Sequence, residues 1–148
     1  MKSIENLLTE ADRLLTDLIL ADAELATALE DDSSARRQLK DAEQALSLVE
    51  AELVTTAVIQ AKEKQGPLAG LAVTSDAYKM AVALMLAKAH AGSLQSLAQR
   101  VQHWQIQADG ARVQLEQTQT RFSAIRHASN LVASMLAAAS TVNEGSVK

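Results

Sequence analysis

Apolar residues recur along the first part of the chain in alternating steps of four and three: Leu7, Ala11, Leu14, Leu18, Ala21, Leu25 and Ala28. The same phase passes through Asp32 and continues as Ala35, Leu39, Ala42, Leu46, Val49 and Leu53. A 3.5-residue period held this long marks a helix that keeps one stripe against a neighbouring helix. Asp32 is the one poor seam residue, and it sits in Glu30-Asp31-Asp32-Ser33-Ser34, where a serine can cap a new helix. The phase survives this point, so one helix with a weak spot is favoured over two helices and a loop. The arm ends at Gln65-Gly66-Pro67-Leu68-Ala69-Gly70, because glycine followed by proline stops a helix. Thr74-Ser75-Asp76 then reads as an N-cap with an acid near the first turn.

A second seam starts at Met80, Ala83, Ala87, His90, Leu94, Leu97 and Val101 and keeps the same stepping past Gly92 and Gly110 to Leu136. Its later members include Trp104, Ala108, Leu115, Thr118, Phe122, Ile125 and Val132. An isolated glycine costs a helix about 1 kcal/mol against alanine, which a long seam tolerates. Met80 to Ala91 is apolar almost all round, so it is expected to be buried on more than one side and to form a subunit contact through Leu84 and Leu86. The tail after Ser140 has turn-like composition and is expected to fray. The predicted organisation is one helical domain, 1–148, with an acidic arm 1–64, a loop 65–74, a second arm 75–140 and a tail 141–148. The fold class is all-α: a long antiparallel helical hairpin or coiled coil, with arms of roughly 90 Å if straight. Two such arms cannot bury all their apolar surface within one chain, so assembly into a homo-oligomeric bundle or ring is expected.

Composition agrees with few, long helices. The 148 residues include 5 Gly, 1 Pro and 2% aromatics, yet 48% are hydrophobic, mostly alanine and leucine. Net charge is −4, unevenly spread. Residues 1–57 hold 5 bases against 13 acids, and residues 58–148 hold 9 bases against 5 acids. Arms of opposite sign attract one another when they lie side by side. The absence of cysteine removes disulfide and thiolate chemistry and is compatible with a reducing compartment. MKSIENLLTEADRLL carries acids where a secretory signal runs apolar, and the longest apolar run, Met80 to Ala87, is too short to cross a bilayer. A cytoplasmic protein with no membrane partner is expected.

The motifs point away from catalysis. None of His90, His103 and His127 has a histidine or carboxylate three or four residues away, so no helical metal pair forms. No nucleophile elbow, phosphate-binding glycine loop or paired carboxylates are present. No catalytic residue, metal or cofactor is assigned. The remaining chemistry is basic. Lys62 and Lys64 sit at the end of the first arm beside the loop, Lys79, Lys88 and Arg100 lie in an acid-free stretch, and Arg121 and Arg126 lie in another. In a lone chain these form a solvated helix face. Repeated by symmetry, they form a basic track suited to a phosphate backbone.

The stretch Gln102 to His127 adds a resemblance. Gln102, Trp104, Ile106, Asp109, Leu115, Glu116 and Arg121, followed by Ala124-Ile125-Arg126-His127, resemble the C-terminal helical region of the UvsY family, the tailed-phage recombination mediators. Thr74, Asp76 and Tyr78 resemble that helix's Ser-x-Asp-x-Tyr entry, and Gln60-Ala61-Lys62 lies where the family has a basic-Ala-Arg group. This chain departs there, with Gln60 in place of a base and Glu63 after Lys62. The resemblance implies a non-enzymatic ring-like homo-oligomer. It would bind single-stranded DNA, contact a RecA-like recombinase and a single-strand-binding protein, and work in the cytoplasm of an infected bacterium if phage-encoded. On that reading Lys62, Lys64, Arg121 and Arg126 contact DNA, while Leu84, Leu86, Trp104, Leu115, Phe122 and Ile125 serve packing and assembly. The alternative is a coiled-coil scaffold or adaptor with no nucleic-acid role.

Overall fold

The computed structural model describes residues 3–146, with side chains for residues 3–142. It holds three helices: α1 (Ile4–Glu63), α2 (Asp76–Ala91) and α3 (Gln95–Ser146). Of the described residues 89% are helical, a long helix pair packs together, and no strand occurs among them.

The α1 seam is the one that the 3.5 period marks. Leu7, Leu14, Ala21, Ala28, Ala35 and Ala42 recur every seventh residue and are all buried. Between them Ala11, Leu18, Leu25, Leu39 and Leu46 are half-buried. Four successive alanines on one stripe leave no side-chain bulk to hold the neighbouring helix away. Asp32 occupies its seam position at 6% exposure, and the helix runs through it without a break.

The turn after α1 is built by backbone hydrogen bonds. Gln65 N donates to Gln60 O at 3.0 Å, and Lys64 between them takes a left-handed φ of 51°. This is a helix-terminating geometry that glycine usually supplies. Gly66 and Gly70 follow with φ of 70° and 81°. Leu68 folds back from the loop into a cluster with Ala57, Ala61 and Tyr78, against which Val82 and Met85 pack. Ser75 caps α2, its hydroxyl oxygen accepting from Tyr78 N at 3.1 Å.

The second arm is not one helix, as the uninterrupted stepping suggested. It breaks at Gly92-Ser93-Leu94, where Gly92 N and Leu94 N both donate to Ala89 O, at 3.0 and 2.7 Å. Leu94, 2% exposed, anchors the break. The break frees α2 from the phase of α3. In α2 the inward residues are Tyr78, Ala81, Val82, Met85 and Ala89, while Met80, Ala83, Leu84 and Ala87 face outward. The seam read through Met80, Ala83 and Ala87 is therefore on the wrong side of α2. From Leu94 onward the seam positions Leu97, Val101, Trp104, Ala108 and Leu115 are buried or half-buried as expected. The tail also differs. The helix continues past residue 140 through Ser146, with the Thr141 hydroxyl donating to Ala137 O at 2.9 Å. Of the tail 141–148 expected to fray, Val147 and Lys148 lie outside the described residues.

The chain divides into two compact units. Unit 1 joins Met1–Ser33 to Asp109–Lys148, and unit 2 is Ser34–Ala108. Within unit 1 the α1 and α3 segments run antiparallel: Glu24 pairs with Arg121 at 3.0 Å, while the earlier Ala11 and Leu15 line a groove with the later Ser129 and Ala133. Within unit 2 the α1 segment runs antiparallel to α2: Glu50 lies 2.9 Å from His90, and the later Ala57 and Ala61 cluster with the earlier Tyr78.

Candidate nucleic-acid interface

The basic residues divide by unit. Unit 2 holds 8 bases and 6 acids, whereas unit 1 holds 6 bases and 12 acids. The excess of base lies in the second part of unit 2: residues 57–108 carry Lys62, Lys64, Lys79, Lys88 and Arg100 against only Glu63 and Asp76. All five basic side chains are exposed, and none takes part in an ion pair among the described residues.

Each is positioned by local structure. Lys62 lies in the last turn of α1, where a cation meets the negative end of the helix dipole. Lys64 is held by its left-handed backbone at the helix end. Such a conformation costs a non-glycine residue about 1–2 kcal/mol. Lys88 lines an open pocket of about 430 Å³ together with Gln60, Pro67, Met85, Gly92 and Ser93. It therefore borders the end of α1, the loop and the α2–α3 break at once. Gln60 Oε1 is buried there without a hydrogen-bond partner among the described residues. The sequence names Lys88 only as one base of an acid-free stretch; its setting depends on the break at Gly92, which brings Ser93 into the same pocket as Pro67 of the loop.

Arg121 and Arg126 stand apart from this group by belonging to unit 1. Arg126 is exposed, whereas Arg121 is already engaged by Glu24. That pair is one instance of the attraction between oppositely charged arms. Elsewhere in unit 1, Arg13 has its pKa raised by a hydrogen bond from its guanidinium to Glu10, with the charges of Glu10 and Asp17 adding to the effect.

The residues expected to serve packing take different places. Leu115 is buried, and Phe122 and Ile125 are half-buried in the α3 seam of unit 1. Trp104 is half-buried in unit 2, edge-on to His103 at a ring separation of 5.2 Å. Leu86 is half-buried, but Leu84 is 69% exposed. The aromatic residues thus belong to the seam and not to a base-stacking surface. His90, read as a seam residue, is half-buried and meets the carboxylate of Glu50.

Among the described residues no group of three or more His, Asp and Glu side chains lies close enough to hold a metal ion, and no helix is long and apolar enough to cross a membrane. Comparison of this chain with known protein families, with curated protein sequences and with solved structures finds no match.

Proposed function

We propose that the protein is a non-enzymatic, homo-oligomeric recombination mediator. It holds single-stranded DNA by the phosphate backbone and helps a RecA-like recombinase take the place of single-strand-binding protein. The observation that carries this reading is the set of exposed bases without ion pairs in residues 57–108 of unit 2, among which Lys62 and Lys64 sit at the end of α1 and Lys88 lines the pocket that Gln60 and Pro67 also border. The likeness of Gln102–His127 to the UvsY family points the same way.

The chemistry is electrostatic. The chain has one Trp, one Tyr and one Phe, and Trp104 and Phe122 are committed to the seam, so little remains for stacking on bases. Binding then rests on ammonium–phosphate contacts, which read no sequence. A few contacts per copy are weak, but copies joined in one assembly bind a single strand with avidity. The acidic unit 1 offers the opposite sign, suited to a basic surface on a protein partner.

Binding of a fluorescent oligo(dT) strand, measured at low and moderate salt, tests the proposal. Affinity should fall steeply with salt, by about 0.7 in log–log slope for each phosphate neutralised on a single strand. The Lys62→Ala/Lys64→Ala double variant and Lys88→Ala should each weaken binding, whereas Arg121→Ala should change it little because Glu24 already holds that guanidinium. No binding at low salt, or binding indifferent to salt, would sink the DNA reading. The scaffold alternative would then stand; the twelve acids of unit 1 and the use of Arg121 within the fold favour it.

A further inference from the structure

The pocket beside the α2–α3 break is lined by two kinds of group. Pro67 of the loop and Met85 and Ala89 of α2 give it apolar walls. Lys88 supplies an exposed ammonium with no ion pair among the described residues, and Ser93 supplies a hydroxyl. Gln60 of α1 supplies a side-chain amide, whose Oε1 is buried and has no hydrogen-bond partner among the described residues. The volume, about 430 Å³, lies within the roughly 300–1,000 Å³ of small-ligand sites, which are likewise built of apolar walls carrying a few polar groups.

The turn after α1 confines the Gln60 amide. A Cβ at Gly66 would stand 3.1 Å from Gln60 Cδ and 3.3 Å from its Oε1, and Gly66 has a φ of 70°. Glycine tolerates both that backbone and that close approach. The terminal torsion of glutamine is soft and roughly two-fold, so a half-turn exchanges Oε1 for Nε2. Whichever atom is left unpaired gains from a partner that reaches it. The amide therefore suits a ligand edge that carries a donor beside an acceptor.

We infer that this pocket seats one nucleotide of the bound strand with its base inward. Lys88 and the Ser93 hydroxyl take the phosphate. The helix α3 begins just after Ser93 and has no acid in its first turn to oppose that charge. Pro67 and Met85 cover the base, and the Gln60 amide meets its edge. Each of the four bases carries a donor beside an acceptor on its pairing edge, so the seat holds a base without selecting one. It needs no aromatic ring, which suits a chain whose Trp104 and Phe122 are taken up by the seam. The inference rests on the DNA reading in the proposed function and adds to it a contact with the base.

Simpler occupants leave part of the lining unused. An inorganic phosphate can pair with Lys88 and Ser93, but it leaves the walls at Pro67 and Met85 in water. An uncharged apolar compound covers those walls, but it leaves both the ammonium and the Gln60 amide unmatched. A nucleotide answers all of them at once, because it joins an anion to a flat, largely apolar body with a polar edge.

The experiment compares the binding of the full chain to two fluorescent strands of equal length and charge, oligo(dT) and an abasic oligodeoxynucleotide. Circular dichroism checks that each variant keeps the parental helix content. The parent should bind oligo(dT) about tenfold more tightly, as a hydrogen bond and the apolar contact beside it would give. The two salt slopes should agree, because the phosphates are the same. Gln60→Leu keeps the bulk and removes the amide, so it should weaken oligo(dT) binding alone and erase most of the difference. The Lys62→Ala/Lys64→Ala variant should weaken both strands and keep their ratio. Equal affinity of the parent for the two strands, or a ratio that Gln60→Leu leaves unchanged, would overturn the inference and leave phosphate binding standing. Thymidine monophosphate that competes no better than inorganic phosphate would overturn it as well. Absence of oligo(dT) binding at low salt would remove the DNA reading and this seat together.

Discussion

Two methionines five residues apart on α2 provide a direct test of its register. Met80 belongs to the seam implied by uninterrupted stepping, yet it is 67% exposed. Met85 falls outside that seam, yet it is half-buried against the Ala57, Ala61, Leu68 and Tyr78 cluster. Replacing each by alanine asks which is inside. Fully burying a methionine side chain is worth about 1.5–3 kcal/mol. Met85 is only partly buried, but its removal also leaves a gap against the cluster, so Met85→Ala should cost about 1–2 kcal/mol. Met80→Ala should stay within about 0.5 kcal/mol, as exposed substitutions do, since alanine is if anything the better helix former. Urea unfolding followed by circular dichroism measures both, and an unchanged m-value shows that the same surface unfolds in each variant. A larger loss for Met80→Ala would refute the inward face assigned to α2. Concentration dependence adds a second reading, because a contact between copies stabilises more as protein concentration rises. If Met80→Ala destabilised only at high concentration, the outer face of α2 would be the subunit contact.

Other substitutions probe the turn and the core. Tyr78 is buried with its hydroxyl lacking a hydrogen-bond partner among the described residues, so Tyr78→Phe should raise stability by about 1 kcal/mol, which calorimetry would register as a melting point about 2–4 °C higher. An unchanged or lowered melting point would show that the hydroxyl is satisfied. Lys64→Gly relieves a left-handed backbone and should stabilise by about 1 kcal/mol in urea unfolding, while removing a cation and weakening oligo(dT) binding. A stabilised variant with parental affinity would separate Lys64 from DNA contact.

How far the fold was legible depends on what each segment could hide. The α1 seam was readable because alternatives were excluded: polar residues occupy most positions outside the stripe, so only one face can turn inward. Even Asp32 did not obscure it, since the phase on either side agrees. In α2 the sequence MAVALMLAKAHA is apolar almost all round, so several faces satisfy the same stepping. The choice is made elsewhere, by the Ser75 cap at one end and the break anchored by Leu94 at the other. Gly92 was readable as tolerable within a helix, and its effect came from the backbone bonds around Ala89. The tail shows the converse: despite its turn-like composition the helix continues through Ser146, and the Thr141 hydroxyl turns back onto the carbonyl of Ala137. Of the candidate site, Lys62 and Lys64 follow from the Gly-Pro stop. The engagement of Arg121 and the setting of Lys88 depend on contacts distant in sequence, which charge and spacing along the chain do not specify.

The proposed phosphate binding makes one further demand, because the chain as a whole is acidic, with a net charge of −4. A few ammonium–phosphate contacts per copy do not suffice, so a strand long enough to engage two copies should bind more tightly per copy than one that reaches a single copy, since it holds the second copy at high effective concentration. Titration of short and long oligo(dT) at low salt measures the difference, and equal affinity per copy for both lengths would refute avidity as the source of binding.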